Sequence, residues 1–343
     1  MKALVLKAYK QFSYEDVPEP EIGAEDVLIR VKACGICGSD VHGMDGSTGR
    51  RIPPIIMGHE AAGVIERVGG SVSEWRVGDR VTFDSTIVMR PDFYSQKGLF
   101  NLSDYRKVLG VSCGEYRQHG AFAEFVAVPQ SILYRLPDSL SFERAAMTEP
   151  VSVAFHAVNL MTNELNDSAI VVGCGMIGLF VVQALRIKGY GKIIAVDLDA
   201  SKLDTAIEFG ADHALKADAP DVVDQIHALT HGRGADAAVE AVGITPTIDL
   251  AIKAVRKGGK VALVGNLSPK VELPLQAVVT RQITLYGSCA SAGEYPACLD
   301  MIANGRVRVD EMISAVVPLA DAAIWFERLY KGEPGLKKVI VTP

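Results

Sequence analysis

Sulfur, imidazole and carboxylate side chains stand at three widely separated points in the first half of the chain. Cys37 lies in the motif ACGICGSD, His59 and Glu60 in GHE, and Glu149 in TEP. One thiolate, one imidazole and one carboxylate, with a fourth position left open, make up the ligand set of a catalytic zinc ion. The three motifs therefore indicate a metal-dependent enzyme, although spacing alone does not establish the site.

A second chemistry is open to Cys34 and Cys37, because their CxxC spacing is also that of thiol redox enzymes. The βαβ pattern that accompanies a thioredoxin-like motif is absent around them. The other cysteines lie far from this pair and from one another, which argues against a disulfide framework: Cys113, Cys174, Cys289 and Cys298. This usage predicts a reducing compartment, and we expect the cytoplasm.

A glycine motif, GCGMIG, matches the GxGxxG pattern of dinucleotide-binding proteins. It follows a buried strand, SAIVV, and opens an apolar helix, which is the context that the pattern requires. Gly173 makes the tight turn, Gly175 lets the backbone approach a pyrophosphate, and Gly178 lets helix and strand pack closely. The helix N-terminus, from Met176 and Ile177 onward, then offers free N–H groups to the phosphates.

Asp197 ends the next strand, KIIAVD, where its carboxylate can accept hydrogen bonds from the adenosine ribose hydroxyls of the nucleotide. A 2′-phosphate at this position would meet a negative charge. Leu198 and Asp199 follow, no arginine is adjacent, and the nearest cation is Lys202. We therefore predict NAD rather than NADP as the cofactor.

Two patterns of secondary structure divide the chain near residue 150. Before it, short runs such as DVLIRVKA and AAGVIERVG predict a β-rich domain with barrel-like strand spacing. After it, apolar strands alternate with helical periods, which predicts a doubly wound parallel sheet. A last strand, KKVIVTP, is expected to return to the first domain. We predict an α/β protein with a catalytic domain at 1–151 and 286–343 and a nucleotide-binding domain at 152–285.

The composition argues against several other classes of protein. The chain has 343 residues, of which 49% are hydrophobic, and this is ample for two buried cores. Its net charge of -6 is mildly acidic and no Lys/Arg-rich block interrupts it, so we expect no nucleic-acid partner. The N-terminus lacks the apolar run of a signal peptide, and no stretch reaches the roughly 18 apolar residues of a membrane span.

Six motifs occur in a fixed order along the chain: GICGSDVH, MGHEAAGVIERVG, GDRV, AFAEFVAVP, TEPVSVAFHA and GCGMIGL. In that order they resemble the zinc-dependent medium-chain dehydrogenases over essentially the whole sequence. Glu149 favours the sorbitol (iditol) and polyol dehydrogenase branch, since many alcohol dehydrogenases carry a cysteine there. The resemblance implies a GroES-like catalytic domain, a Rossmann domain and a homo-oligomer, a tetramer rather than a dimer. The implied reaction transfers a hydride from a secondary alcohol of a polyol or sugar-like small molecule to NAD, giving a ketone.

The resemblance also assigns the residues around the metal. Cys37 and His59 are zinc ligands, and Glu60 coordinates zinc or alternates with water. Glu149 binds zinc directly or through water, whereas Cys34 is interpreted as a buried strand residue. Zinc would lower the pKa of the substrate hydroxyl toward neutrality.

The proton released by the substrate needs a path to solvent. By resemblance, Ser39 accepts it beside the zinc, and His42 completes a relay through a ribose hydroxyl of the cofactor, a role that suits the ordinary pKa of histidine. Asp40 is interpreted as a partner that orients His59 rather than a reacting group. The remaining residues assigned to the nucleotide site are Leu198, Lys202, Val242, Val264 and Gly265.

A lobe near residues 89–103 departs from the family pattern. Many relatives hold a structural zinc there with four cysteines, but the corresponding positions here are Met89, Asp92, Ser95 and Ser103. These side chains cannot form a thiolate cage, so we predict one zinc per chain. We expect packing or hydrogen bonding to replace the metal, with four large side chains available for packing: Phe93, Tyr94, Leu99 and Phe100.

Four other functions stay open at this stage. An NAD-dependent dehydrogenase of a β-hydroxy amino acid, such as threonine, or of a simple secondary alcohol would use the same motifs. A zinc-free quinone reductase or a non-catalytic binding protein would share the fold but lack the ligand trio. The presence of Cys37, His59 and Glu149 disfavours the zinc-free and non-catalytic proteins. A substrate panel distinguishes the remaining dehydrogenases from one another.

Overall fold

The computed structural model describes residues 1–112 and 117–343. Cys113, one of the six cysteines, lies outside the described residues. None of the described helices is both long enough and apolar enough to cross a membrane.

Eighteen strands and ten α-helices are assigned within the described residues. The strands are β1 (Lys2–Ala8), β2 (Gln11–Asp16), β3 (Asp26–Gly35), β4 (Ile55–Ile56), β5 (Glu60–Val68), β6 (Arg80–Phe83), β7 (Thr86–Val88), β8 (Arg106–Val108), β9 (Phe125–Pro129), β10 (Leu133–Arg135), β11 (Ser168–Val172), β12 (Lys192–Asp197), β13 (His213–Lys216), β14 (Ala235–Glu240), β15 (Val255–Leu263), β16 (Thr284–Gly287), β17 (Ile313–Pro318) and β18 (Lys338–Thr342). The helices are α1 (Gly38–Gly43), α2 (Phe142–Ala146), α3 (Thr148–Asn159), α4 (Met176–Ile187), α5 (Ala200–Glu208), α6 (Val222–Leu229), α7 (Thr245–Ala254), α8 (Leu275–Thr280), α9 (Tyr295–Ala303) and α10 (Ala322–Tyr330).

The chain forms two compact units. The first contains Met1–Glu149 and Ala292–Pro343, and the second contains Pro150–Ser291. The sequence predicts that the catalytic domain ends at residue 151 and resumes at residue 286, a few residues from these borders.

The sheets of the first unit are mainly antiparallel, with β17 and β18 forming a parallel pair. Its largest sheet has the order β10-β6-β5-β3-β18-β17, with β9 also paired to β3. The last strand, β18, lies antiparallel to β3, where Ile340 is opposite Gly35 and Val341 is opposite Cys34. Buried residues of β1, β3, β5 and β9 form its core together with Phe326 of α10. This arrangement brings strands from both ends of the chain beside the metal-binding motifs.

The second unit contains a six-stranded parallel sheet with the order β13-β12-β11-β14-β15-β16. Its central strands β11 and β12 are almost entirely buried, as expected for a parallel sheet covered on both faces. α5 ends just before Gly210, whose φ of 110° lies in the left-handed region typical of a helix C-terminus. The nucleotide motif therefore lies at the carboxyl end of β11, where such sheets bind ligands.

Two element borders lie next to irregular or directly adjoining segments. α7 ends at Ala254, because Val255 already begins β15. β9 begins at Phe125, and in the segment before it Ala123 forms an isolated bridge to Ala3.

Candidate active site

Cys37 lies between the end of β3 and the first turn of α1, where it is the N-cap residue of the helix. Its Sγ accepts hydrogen bonds from the Ser39 N–H at 3.4 Å and from Ser39 Oγ at 3.2 Å. Burial, with a further contribution from Glu60, raises the pKa of the Cys37 thiol to about 12. A positive metal ion would reverse this by stabilising the thiolate.

Glu60 begins β5 directly after His59, and both side chains are buried. Gly35 on the adjacent β3 is opposite Glu60, and a Cβ there would lie 2.2 Å from Glu60 Oε2. A side chain at position 35 would therefore displace the Glu60 carboxylate from its present position. Lys338 at the start of β18 donates to Glu60 Oε2 at 2.6 Å, so a buried ion pair links β18 to β5.

Cys37, His59 and Glu60 form a candidate metal-binding group, with one ligand atom from each within 4.8 Å of the others. Three buried atoms at this place have no hydrogen-bond partner among the described residues: Asp40 Oδ2, His59 Nδ1 and Glu60 Oε1. The donors are one sulfur, one imidazole and one carboxylate. That set fits a zinc ion, and the unpaired glutamate oxygen is available to it.

Glu149, the fourth predicted ligand, does not belong to this compact group. It lies in the first turn of α3 and is half-buried. Desolvation is the main cause that raises the pKa of its carboxyl group to about 8; His59 opposes this shift, while Glu60 and Cys37 contribute to it. These electrostatic effects place Glu149 close to the group but leave open whether it contacts a metal directly.

The predicted proton relay lies on α1. Ser39 and His42 are exposed and three residues apart, so they share a face of this helix. Asp40 is fully buried, and its Oδ2 lies 3.5 Å from His59 Nδ1. Sequence reasoning missed Arg51, a buried side chain that contacts both Asp40 and Ser39. No motif identified it, because its partners come from a different segment of the chain.

The lobe without cysteines is held together by Asp92. Its Oδ1 accepts from the Ser95 N–H at 2.8 Å, and its Oδ2 accepts from Ser103 Oγ at 2.9 Å and the Asp104 N–H at 2.7 Å. These hydrogen bonds, led by that from Ser95, lower the pKa of Asp92 to about 2. Three of the four positions counted as cysteine sites are thus in direct contact through hydrogen bonds.

Aromatic packing contributes less to this lobe. Phe93 is 64% exposed and Phe100 is 47% exposed. Phe93 contacts Tyr94 edge to face with ring centroids 5.4 Å apart, and the Lys97 ammonium lies 4.1 Å from its ring centroid. These are surface contacts rather than a small core.

The nucleotide motif has the geometry that its glycines require. Gly173 has a φ of 93°, and a Cβ on Gly178 would lie 1.8 Å from the Gly173 carbonyl oxygen. A Cβ on Gly175 would meet no atom within 4 Å, so open space lies beside this residue. Met176 and Ile177 then begin α4. Open space at the second glycine and a helix N-terminus beside it fit a pyrophosphate.

Asp197 ends β12 and supports the glycine turn. Its Oδ2 accepts from the Cys174 N–H at 2.7 Å, and its Oδ1 accepts from the Asp199 N–H at 2.8 Å. Asp199 is the N-cap of α5 and accepts from the Ser201 N–H at 2.8 Å. Asp197 therefore connects the end of β12 to the glycine turn that follows β11.

Two lysines lie near the end of β12. Lys202 is exposed on α5, and Leu198 beside it is 64% exposed. Lys216, which the sequence did not single out, pairs in register with Asp197, and its ammonium donates to the Leu198 carbonyl. The local charge is thus less negative than Asp197 and Asp199 alone suggest.

Glu240 is a further buried acid that sequence reasoning missed, at the carboxyl end of β14. Its Oε1 accepts from the N–H groups of Val242 at 2.9 Å and Gly243 at 2.7 Å. Its carbonyl accepts from the N–H groups of Val264 at 2.9 Å and Gly265 at 3.0 Å. One residue thereby fixes both loops that carry the remaining predicted nucleotide contacts.

Comparison with known proteins identifies the family. Residues 177–304 match the family model of zinc-binding dehydrogenases, and residues 23–138 match that of the alcohol dehydrogenase GroES-like domain. The chain is 33% identical over 348 residues to sorbitol dehydrogenase of Bacillus subtilis (strain 168), covering 100% of this chain and 97% of that protein. The chain belongs to the zinc-dependent medium-chain dehydrogenases.

Other members of this medium-chain dehydrogenase family are similar over nearly the whole chain. D-arabitol-phosphate dehydrogenase of Enterococcus avium is 32% identical over 329 residues, covering 94% of this chain and 92% of that protein. A zinc-binding dehydrogenase from Sinorhizobium meliloti 1021, solved with NADP bound, superposes with a TM-score of 0.90 at 30% identity and covers 100% of this chain and 99% of its own.

Family membership confirms four of the predictions. The protein is a dehydrogenase, its fold combines a GroES-like unit with a Rossmann unit, and it uses zinc and a nicotinamide cofactor. The zinc-free and non-catalytic alternatives are thereby set aside.

Proposed function

We propose that this dehydrogenase oxidises a secondary alcohol of a polyol or sugar-like substrate to a ketone, with NAD as the acceptor. The observation that carries the proposal is the group of Cys37, His59 and Glu60 with Glu149 close beside it. The similarity to a sorbitol and an arabitol-phosphate dehydrogenase supports the choice of substrate class.

In this proposal Cys37, His59 and Glu60 hold the zinc ion, and Glu149 contacts it directly or through water. Zinc supplies a Lewis acid that lowers the pKa of a substrate hydroxyl, and the nicotinamide accepts the hydride. The buried Lys338 ammonium donates to Glu60 Oε2 at 2.6 Å and offsets part of the negative charge of the ligand set. The other carboxylate oxygen, Oε1, has no hydrogen-bond partner among the described residues and is available to the metal.

Ser39 accepts the proton of the substrate hydroxyl on an oxygen lone pair and releases its own hydroxyl proton, which His42 passes to solvent. Both side chains are exposed on the same face of α1, which supports a short path. Asp40 orients the His59 ring through its buried carboxylate, 3.5 Å from Nδ1.

Glu149 distinguishes a polyol from a simple alcohol. A carboxylate donates less charge to zinc than a thiolate does and keeps a hydrogen-bond acceptor beside the metal. A neighbouring substrate hydroxyl can satisfy that acceptor, whereas ethanol leaves it unpaired, which costs about 1–3 kcal/mol.

A substrate panel with NADH absorbance tests this directly. We expect kcat/KM for polyols and vicinal diols to exceed that for ethanol by about 5- to 150-fold, which is the same 1–3 kcal/mol. Glu149→Cys should keep zinc and lower kcat/KM for polyols more than for 2-butanol. Glu149→Gln serves as the matched control, because it keeps an oxygen acceptor. A best rate with ethanol or threonine, or an equal loss for both substrates, would contradict the polyol assignment.

Within the second unit we propose that Gly173, Gly175 and Gly178 position the pyrophosphate and Asp197 the adenosine ribose. Open space at Gly175 and the charge of Asp197 support this. The other contacts proposed for the nucleotide come from Met176, Ile177, Leu198, Lys202, Val242, Val264 and Gly265.

The cofactor preference provides a second test. NAD should be preferred, and Asp197→Asn should raise the relative kcat/KM for NADP about tenfold, since like charges near a surface repel by roughly 1–4 kcal/mol. The asparagine keeps an acceptor for the Cys174 N–H. Asp204→Asn, an exposed change on α5, is the control and should leave the preference unchanged. Equal wild-type rates with NAD and NADP at subsaturating concentrations would refute the assignment.

We further propose a cytoplasmic homo-oligomer, a tetramer rather than a dimer. The described cysteines are all free, which supports a reducing compartment, and the oligomer is supported by the family resemblance. Light scattering coupled to size-exclusion chromatography measures the mass, and a monomer would contradict the proposal.

A further inference from the structure

Arg51 is one of the most buried charged residues of the first unit, with 2% of its surface exposed. Its Nε and Nη2 donate to Asp40 Oδ1 at 2.9 and 2.8 Å, and Nη2 also donates to Ser39 Oγ at 3.1 Å. Nη1 donates to the Arg50 carbonyl at 3.2 Å. A buried guanidinium is costly unless such partners are present, so this set of contacts fixes the orientation of its plane.

Both hydrogen-bond partners of Arg51, Ser39 and Asp40, also contact residues of the metal-binding group. Ser39 Oγ lies 3.2 Å from Cys37 Sγ. The other oxygen of Asp40, Oδ2, lies 3.5 Å from His59 Nδ1. The Arg51 guanidinium is therefore linked to Cys37 through Ser39. It is linked to His59 through Asp40.

Hydrogen-bond chemistry gives these links a direction. A serine hydroxyl has one proton and two lone pairs, and an arginine can only donate. Arg51 therefore occupies one lone pair of Ser39, which leaves the proton and one lone pair to face Cys37 and an incoming substrate. At Asp40 the two N–H donors bind Oδ1, which turns Oδ2 toward the imidazole.

We propose that Arg51 is a positioning residue that holds Ser39 and His59 in their working orientations through two separate contacts. The proposal rests on the function proposed above for Cys37, His59 and Ser39. Lysine would not replace it, because an ammonium lacks the planar fork that reaches Asp40 and Ser39 together.

The test compares Arg51→Lys with the wild-type holoenzyme. We expect zinc affinity, from competition with a chelator, and kcat each to fall about 10- to 100-fold, as is typical when a partner of a metal ligand is lost. KM for NAD should stay the same, because the nucleotide motif belongs to the other unit. In cobalt-substituted protein the thiolate-to-cobalt absorption band should shift, since the hydrogen bonding of Cys37 changes.

Arg80→Lys is the matched control. The Arg80 guanidinium donates to the carbonyls of Pro137, Asp138 and Leu140 in the same unit, and none of these is in the metal-binding group. This variant should lose stability but keep zinc affinity, the cobalt spectrum and kcat.

Gly43→Ala provides a second variant in case Arg51→Lys does not fold. A Cβ on Gly43 would lie 2.5 Å from Arg51 Cγ, so alanine displaces the arginine without removing its charge. We expect changes in the same direction but smaller, about 3- to 10-fold in zinc affinity and kcat.

The zinc and cobalt measurements need no substrate, so they separate the two proposals. If Cys37→Ala keeps its zinc, the proposed metal site is wrong and the role of Arg51 falls with it. If Cys37→Ala loses zinc but Arg51→Lys and Gly43→Ala keep wild-type affinity, spectrum and kcat, only the role of Arg51 is overturned.

Discussion

Two regions of the first unit solve the same problem of buried or half-buried polar atoms in opposite ways. Around Cys37, three atoms remain without a hydrogen-bond partner among the described residues: Glu60 Oε1, and Asp40 Oδ2 and His59 Nδ1, which face each other at 3.5 Å. In the lobe near Asp92, both carboxylate oxygens are satisfied, by three hydrogen bonds in total. The first region leaves donor atoms available, and the second uses them internally.

This difference teaches where a metal is needed. An unsatisfied buried polar atom costs about 1–3 kcal/mol, so a fold keeps several together only when something else satisfies them. Glu60 Oε1, beside Cys37 and His59, meets that description, whereas in the lobe a carboxylate and two serines bind one another. We therefore expect one zinc per chain.

The largest expected effect comes from removing the sulfur ligand. Cys37→Ala should lose zinc and lower kcat/KM by on the order of 10³-fold or more, because a Lewis acid contributes several kcal/mol. Cys34→Ala is the matched control from the same CxxC pair, and it should keep zinc because Cys34 is buried outside the donor group. Elemental analysis checks both, and two tightly held zinc ions in the wild-type chain would break the comparison.

The next effect comes from the buried ion pair of Lys338 and Glu60. Burial lowers the pKa of Lys338, but nearby Glu60 and Cys37 outweigh it, so the lysine stays charged. Lys338→Met should lower the free energy of unfolding of zinc-free protein by about 3–5 kcal/mol, since it leaves a buried carboxylate alone. Zinc should reduce this loss by binding Glu60, and Lys338→Arg should show little of it. Denaturant unfolding with and without zinc measures the difference, and an equal loss in both forms would argue against Glu60 as a ligand.

The smallest effect concerns the lobe and depends on pH. The folded-state pKa of Asp92, about 2, lies below its ordinary value of 3.8. Its stabilising contribution is therefore complete above pH 3.8 and is lost as the pH falls toward 2. Asp92→Asn should weaken hydrogen-exchange protection of the Ser95 and Asp104 amides near neutral pH, and the difference from wild type should shrink as the pH falls below 3.8.

Asp104→Asn is the control for that experiment, because it removes a charge from the same lobe while its backbone N–H still binds Asp92. It should leave the amide protection nearly unchanged. If both variants behave alike, the net charge of the lobe stabilises it rather than the hydrogen bonds of Asp92. The contrast between the lobe and the group around Cys37 would then be wrong.

Local chemistry explains why the sequence predicted so much of the nucleotide unit. Gly173, Gly175 and Gly178 act on atoms within a few residues of themselves, and Asp197 follows directly from the end of a buried strand. The family motifs likewise singled out Cys37, His59 and Glu60, which the structure brings within 4.8 Å of one another.

Only the tertiary structure revealed the residues that support those ligands. Lys338 is 278 positions from Glu60 and meets it because β18 lies against β3, which no local pattern encodes. Arg51 and the contacts of Asp92 likewise depend on which segments the fold brings together. Sequence determined the groups that act through near neighbours, and the pairing of distant strands and loops decided which buried charges stabilise them.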